Sequence, residues 1–365
     1  MDRADAALKS GFAQAMEVPG FNYRVHKYAN NIKQLPQGFL LGSETASTVS
    51  SRGIYYFPVT PTDRGVHPDG QCSSYDVEWC SWSNLPDDDW VWQDDYPWVI
   101  GEFVWTGYDY LGEPTPYDEY WPSRSSYFGI CDLAGLPKDR YWLYRSRWNK
   151  DEHTIHLLPH WSWGASKKEK GNRIGKVTPV YCYTDYPEGE LFVNGKSQGR
   201  IKKDPAGRLD RYRLRWNDVK YEPGELKVVV YDADGRKAGS RTIRTAGKPA
   251  ALKLDTWTAS QASTTSLKAD GSDLAFVTVS LTDADGTLIP QADDQLSFEV
   301  TGAGSFVAVC NGDATSLESF TQPTMKLFSG QLVVIVRGSS QPGTLTLKVS
   351  DAQRGLSQSV DIQVK

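Results

Sequence analysis

Glu44 stands in "GFLLGSETAS", residues 38–47, directly after an apolar run with the character of a buried strand. A carboxylate at a strand end is where α/β folds keep their chemistry. Glu102 stands in a similar run, "VIGEFVW". Paired carboxylates are what glycoside hydrolysis requires, one to attack the anomeric carbon and one to protonate the leaving oxygen. Glu102, however, lies inside its run rather than at its end, so its side chain is expected on another face or buried in a hydrogen bond. Glu44 is the stronger candidate on position.

Other chemistry-bearing residues carry less. His153, His156 and His160 in "HTIHLLPHW" invite a metal reading, but residues 153 and 156 of an extended strand face opposite sides and do not converge. The acidic "PDDDW", residues 86–90, lacks calcium-loop spacing and is expected to be a solvated loop. There is no Gly-rich phosphate loop and no G-x-S-x-G, and no cofactor or metal site is expected. Five scattered cysteines form no C-x-x-C pair, although Cys72 and Cys80 could close a short loop.

Composition narrows the partner. The net charge of −5 disfavours nucleic acid, and no run of apolar residues is long enough to span a membrane. The 13 Trp and 19 Tyr crowd into the first 165 residues, where "WCSW", "DDWVWQDDYPW" and "HWSW" fall, and flat aromatic faces suit sugar rings as well as cores. A small molecule or neutral polymer is the expected partner.

The elements that would position these residues follow from periodicity. Residues 5–16, "DAALKSGFAQAM", put Leu8, Phe12, Ala15 and Met16 on one face of a short amphipathic helix. "VPGFNY", "GFLLGSE" and "PWVIGEFVWTGYDY" (97–110) read as strands, with a long Trp-rich excursion of loop character between the last two. "DRYWLYRSRW" (139–148) reads as a helix offering Tyr141, Leu143 and Tyr144 for packing. From about residue 153 the pattern changes to short alternating runs with turn signals, including Asn194-Gly195 as a hairpin turn, and "TAGKPAALKLD" (245–255) joins two such blocks. That is the grammar of two β-sandwiches in tandem.

Taken together, "GFNYR", "GFLLGSETAS", "DVEWCSWSNLPDDDW", "DDYPWVIGEFVWTGYDYLGEPTPY", "FGICDLAGLPKDRYWLYRSRW", "HLLPHW" and "GELFVNGKSQG" resemble glycoside hydrolase family 2 β-galactosidases of the Bacteroidetes type. The resemblance runs in order over essentially the whole chain. It implies the carboxyl-terminal part of a (β/α)₈ TIM barrel, strands six to eight, over residues 1–150, followed by immunoglobulin-like β-sandwich domains at 151–247 and 248–365. It implies Glu44 as nucleophile, Tyr23 as its hydrogen-bond partner and Trp105 as a substrate-stacking ring. The substrate implied is a β-galactoside oligosaccharide or polysaccharide, with homo-oligomers possible in such enzymes and a periplasmic or extracellular location. Met1 is nevertheless followed by "DRADAALKS", which is charged rather than an apolar export segment.

The resemblance also exposes departures. The family's acid/base is a Glu preceded by Asn, and no Asn-Glu dipeptide occurs in the 365 residues. A whole barrel takes about 250 residues, whereas roughly 150 precede the first sandwich. The expectation is therefore a truncated form with poor activity and unpaired strand edges. Ser47 replaces a His found in some members, and Phe128 stands where some have a sodium-contacting Asn, which weakens metal dependence. The Asn-x-Lys that reads a glucuronide carboxylate is missing after Trp105, which favours galactosides while leaving mannosides and other neutral β-glycosides open. The rival expectation is a non-catalytic carbohydrate-binding or structural protein.

Overall fold

The computed structural model describes residues 1–63, 65–164, 171–258 and 266–365. The chain is mostly β-sheet. Its amino-terminal region begins with α1 (Ala4–Lys9) and α2 (Phe12–Ala15), then β1 (Gly20–Asn22), α3 (Tyr28–Asn31), β2 (Leu40–Thr45), β3 (Thr62–Asp63), β4 (Glu78–Trp79), α4 (Pro86–Asp95), β5 (Val99–Val104) and α5 (Asp139–Trp148). Strands β1, β2 and β5 form one parallel sheet in that order. Parallel strands need crossover connections, and α3 and α4 lie within them. Phe21, Leu40 and Val99 of these strands pack with Ala4, Leu8, Ala13, Val25 and Tyr28 in one apolar cluster.

Three expectations need correction here. The single helix over 5–16 is two pieces, because Gly11 adopts a left-handed φ of 78° and breaks the turn; Phe12 is consequently exposed while Ala13 is buried. The excursion between β2 and β5 is not loop throughout: it holds β3, β4 and the ten-residue α4. The acidic "PDDDW" is the start of α4 rather than a solvated loop, with Asp87 and Asp89 fully buried. Proline in the first turn followed by three Asp suits a helix N-terminus, where unpaired amides favour negative charge.

The next strands are β6 (Ile155–Leu158), β7 (Val180–Thr184), β8 (Glu188–Val193), β9 (Lys196–Lys202), β10 (Leu214–Trp216), β11 (Glu225–Tyr231) and β12 (Lys237–Arg244). They form sheets ordered β10-β7-β6 and β12-β11-β8-β9, which close on Leu157, Val180, Leu191, Leu226 and Val228. Asn194 and Gly195 turn β8 into β9 with φ values of 48° and 78°, the two-residue hairpin read from the sequence. The last block holds β13 (Ala251–Thr258), β14 (Ser266–Leu267), β15 (Leu274–Thr282), β16 (Gln295–Gly302), β17 (Gly304–Cys310), β18 (Thr324–Lys326), β19 (Gln331–Gly338), β20 (Gly343–Asp351) and β21 (Leu356–Val364). Its sheets, β13-β15-β19-β17 and β14-β21-β20-β16-β18, bury alternate residues such as Val277, Val279 and Leu281 of β15 against Leu345, Leu347 and Val349 of β20.

Buried ion pairs join these parts. Arg140 of α5 pairs with Asp76 at 3.1 Å, both fully buried, and Asp76 also accepts from Tyr183 of β7 at 2.9 Å. Arg213 pairs with Asp87 of α4, again with neither side chain exposed. Arg52 spans from Asp132 (2.6 Å) to the carbonyls of Asn311 (2.8 Å) and Phe328 (3.0 Å) in the last block. Removing one partner strands the other in a low dielectric. Arg140→Met should therefore cost about 3–5 kcal/mol, and adding Asp76→Leu should restore part of it. Urea unfolding checks this; a single-mutant loss below about 1 kcal/mol would contradict it.

Candidate functional site

Glu44 is the penultimate residue of β2, half-buried, and is brought to β1 by parallel register with Asn22. One residue on, the Tyr23 amide donates to the Glu44 carbonyl at 2.7 Å, and the Tyr23 hydroxyl donates to Glu44 Oε1 at 2.8 Å. Ser47 Oγ donates in turn to the Tyr23 hydroxyl at 2.8 Å, while the Ser47 amide is held by Ser83 Oγ at 2.8 Å. A relay of two hydroxyls thus ends on the carboxylate. Burial raises the Tyr23 phenol far above its usual range, so it remains a proton donor to Glu44.

The backbone around this relay is unusual. Tyr23, Arg24 and Ala46 all have left-handed φ, of 56°, 57° and 51°. Non-glycine residues avoid that region, and such outliers gather where a site over-determines its chain. Here they turn Tyr23 back over β2 and swing Ser47 under it.

Trp105 follows β5, and its amide donates to the Thr45 carbonyl at 2.8 Å, so Trp105 and Glu44 stand at the same level of neighbouring strands. The indole Nε1 donates to the Tyr110 hydroxyl at 3.2 Å, and Tyr110 donates to Glu113. Phe128 packs in the apolar cluster beneath Trp105 and Tyr110. The structure therefore gathers Glu44, Tyr23 and Trp105. Ser47 and Tyr110 are the members that sequence reasoning missed as contributors, although Ser47 had stood out as a departure three residues after Glu44.

Glu102 is engaged elsewhere. Its Oε2 accepts from Thr45 Oγ1 at 2.8 Å and its Oε1 from Trp90 Nε1 at 2.6 Å. It braces β5 against β2 and α4, as its position inside the run suggested. Burial raises Glu102 above its ordinary carboxylate value of 4.5, despite hydrogen bonds from Thr45, Trp90 and Gln93, and burial together with Glu102 raises its neighbour Asp89 strongly. The three histidines stay apart: His153 meets Asp185, His156 meets Asp139 at 2.6 Å, and His160 lies against Trp163. Among the described residues no cluster of three or more His, Cys, Asp or Glu could hold a metal. Cys72 and Cys80 are both buried thiols without a disulfide.

Comparison with known proteins gives a consistent set of relatives. The family profile "Glycoside hydrolase family 2 C-terminal domain 5" matches residues 259–359, and a domain of unknown function (DUF4982) matches residues 175–239. A β-galactosidase of Bacteroides ovatus is 38% identical over 354 residues, covering 94% of this chain and 38% of that protein. A putative β-glucuronidase of Formosa agariphila is 33% identical over 251 residues, covering 68% of this chain and 22% of its own length. The crystal structure of a β-glycosidase from Bacteroides vulgatus superposes with a TM-score of 0.80 at 28% identity, covering 97% of this chain and 46% of that one. The chain thus spans less than half the length of each of these relatives.

The buried Glu102 yields a signed pH effect. Its folded value is raised, so the folded chain retains a proton that the unfolded chain has released; this contribution to stability is complete below about 4.5 and is lost as pH rises through the raised value. Glu102→Gln, which cannot ionise, should lose less stability than the unsubstituted chain between pH 4.5 and neutrality. Unfolding midpoints across that range provide the check, and identical pH slopes would contradict it.

Proposed function

Because this chain belongs to glycoside hydrolase family 2, we propose that it carries the nucleophile half of a retaining β-galactosidase site. The observation that carries the reading is the contact from the Tyr23 hydroxyl to Glu44 Oε1 at 2.8 Å, itself backed by Ser47. Glu44 is the nucleophile: one carboxylate oxygen is held and oriented by Tyr23, and the other attacks the anomeric carbon to form a glycosyl-enzyme. Tyr23 keeps its proton throughout and supports the charge of Glu44 before attack and as it leaves. Trp105, its indole fixed by Tyr110, presents a face to the apolar side of the sugar ring. Water then releases the sugar with retained configuration.

Residues 1–150 are assigned on the same reading to the last three strands of a catalytic barrel, and 151–247 and 248–365 to immunoglobulin-like sandwiches. The parallel order β1-β2-β5, with helices in its crossovers, supports the first assignment. On its outer side β5 has no strand partner among the described residues, and its Ile100 and Phe103 are exposed. That open edge suits pairing with further barrel strands. The acid/base expected by the family is an Asn-Glu, which these 365 residues lack, so leaving-group protonation must come from outside this chain.

A neutral sugar fits better than a uronate. The cations behind the strand ends, Lys138 and Arg140, are turned to main-chain carbonyls and to Asp109 and Asp76. Glu113, which accepts from the Tyr110 hydroxyl beside Trp105, would repel a sugar carboxylate. The higher identity to a β-galactosidase points the same way.

In the hydrolytically competent protein that contains these residues, Glu44→Gln should lower kcat/KM for an aryl β-galactoside by roughly 10⁴-fold or more, and Tyr23→Phe by roughly 10- to 100-fold. An aryl β-glucuronide should be the poorer substrate. Retention of activity by Glu44→Gln would remove the nucleophile assignment; preference for the glucuronide would overturn the substrate alone.

A further inference from the structure

Away from Glu44, a cavity of about 470 Å³ opens where the three parts of the chain meet. Tyr55 and Asp139 come from the amino-terminal region, His156, His160 and Ser162 from β6 and the segment after it, Arg241 from β12, and Thr287 from the last block. Its size is that of a small-molecule site, and such sites favour domain junctions.

The polar groups in it are not all spent on the fold. Asp139 is: its two oxygens take the Tyr55 hydroxyl at 2.5 Å and His156 Nε2 at 2.6 Å, so its charge is already answered. That leaves His156 Nδ1 without a hydrogen-bond partner among the described residues. Burial pushes His160 down to about 3, so its ring is neutral near pH 7; Nδ1 accepts from the Ser162 amide at 3.3 Å, which leaves Nε2 without an acceptor among the described residues. The Arg241 side chain forms no ion pair or hydrogen bond with any described residue, whereas that of Arg244, three residues on, is paired to Glu225 at 2.7 Å. The cavity therefore offers a guanidinium and two imidazole ring nitrogens without partners among the described residues, with Leu157, Leu288 and Pro290 as apolar surface.

The aromatic rings that line the cavity are already engaged, with Tyr55 packed edge-on against Tyr75, His160 and Trp163. Trp161 is buried, and the Trp142 face is covered by the stacked His156 ring at 5.2 Å. Recognition here must be ionic and hydrogen-bonded rather than by stacking. We propose that this junction is a second binding site, for a sugar that carries an anionic group, a carboxylate or a sulfate. Arg241 takes the anionic group and His160 and His156 the ring hydroxyls. The site is separate from Glu44 and does not rest on the reading of that residue.

Titration of the full chain near pH 7 with D-galacturonate, galactose 6-sulfate and galactose, by calorimetry together with histidine-ring NMR, tests it. The chain has only five histidines, so the rings can be followed singly. Expected are binding of at least one acidic sugar, galactose weaker by roughly tenfold or more, and Arg241→Gln weakening the acid by a similar factor. Ring signals of His156 and His160 should move, those of His26, His67 and His153 should not, and Glu44→Gln should bind as before. The two acidic probes distinguish carboxylate from sulfate. No binding by either acid, equal binding of galactose, indifference to Arg241→Gln, or loss of binding in Glu44→Gln would each overturn the proposal. Arg241 is solvent-exposed on a strand, so its replacement leaves the fold intact.

Discussion

Arg140 is the constraint on which the candidate site depends. Its fully buried guanidinium donates to the carbonyls of Thr48 and Phe128, to Ser50 Oγ at 2.8 Å and to Asp76 at 3.1 Å. Thr48 lies four residues beyond Glu44, and the Phe128 carbonyl also accepts from Thr106, directly after Trp105, at 3.4 Å. One planar cation thus fixes the exits of β2 and β5, which carry Glu44 and Trp105. Lysine could not do this, because a single ammonium cannot present donors in so many fixed directions. Lys138, two residues earlier, adds bonds to the Ser50 carbonyl at 2.7 Å and the Tyr127 carbonyl at 3.1 Å. The relay from Ser47 through Tyr23 to Glu44 is aligned because the chain leaving β2 has nowhere else to go.

The sandwiches then act as buttresses. Asp76, which balances Arg140, is held by Tyr183 of β7, and Tyr75 beside it donates to the Pro179 carbonyl at 2.6 Å. Arg213 meets Asp87 under α4, the helix whose Trp90 fixes Glu102. From the last block, the carbonyls of Asn311 and Phe328 receive Arg52. Removing one charge of such a buried pair is costly, so the arrangement is specific rather than merely sticky. The same junctions leave the cavity that Arg241 borders.

Much of this was legible in the residues. Glu44 stood out because a strand-end carboxylate has no packing reason to follow an apolar run, and the alternating runs after residue 153 carry the period-two signature of sheets with one buried face. The hairpin at Asn194-Gly195 was fixed by the need for two positive φ values. What the sequence hid was tertiary. Asp87 and Asp89 read as solvated because nothing local announces that Arg213 lies more than a hundred residues away, and the helix signal of "LPDDDW" was overlooked beside its charge. The helix at residues 5–16 failed at one glycine, where a left-handed turn outweighed apolar spacing. Arg140 gave no sign of its role, since "DRYWLYRSRW" shows a helix but not which of its arginines is buried.

The central claim is that Glu44 is the residue that bonds to the sugar. A 2-deoxy-2-fluoro-β-galactoside with a good leaving group slows release of the glycosyl-enzyme more than its formation, and the activated leaving group needs little help from an acid. Incubated with the competent protein that contains these residues and followed by peptide mass mapping, it should place the fluorosugar on the peptide containing "GSETAS", at Glu44. A label on any other carboxylate in a protein shown to turn over β-galactosides would contradict the account.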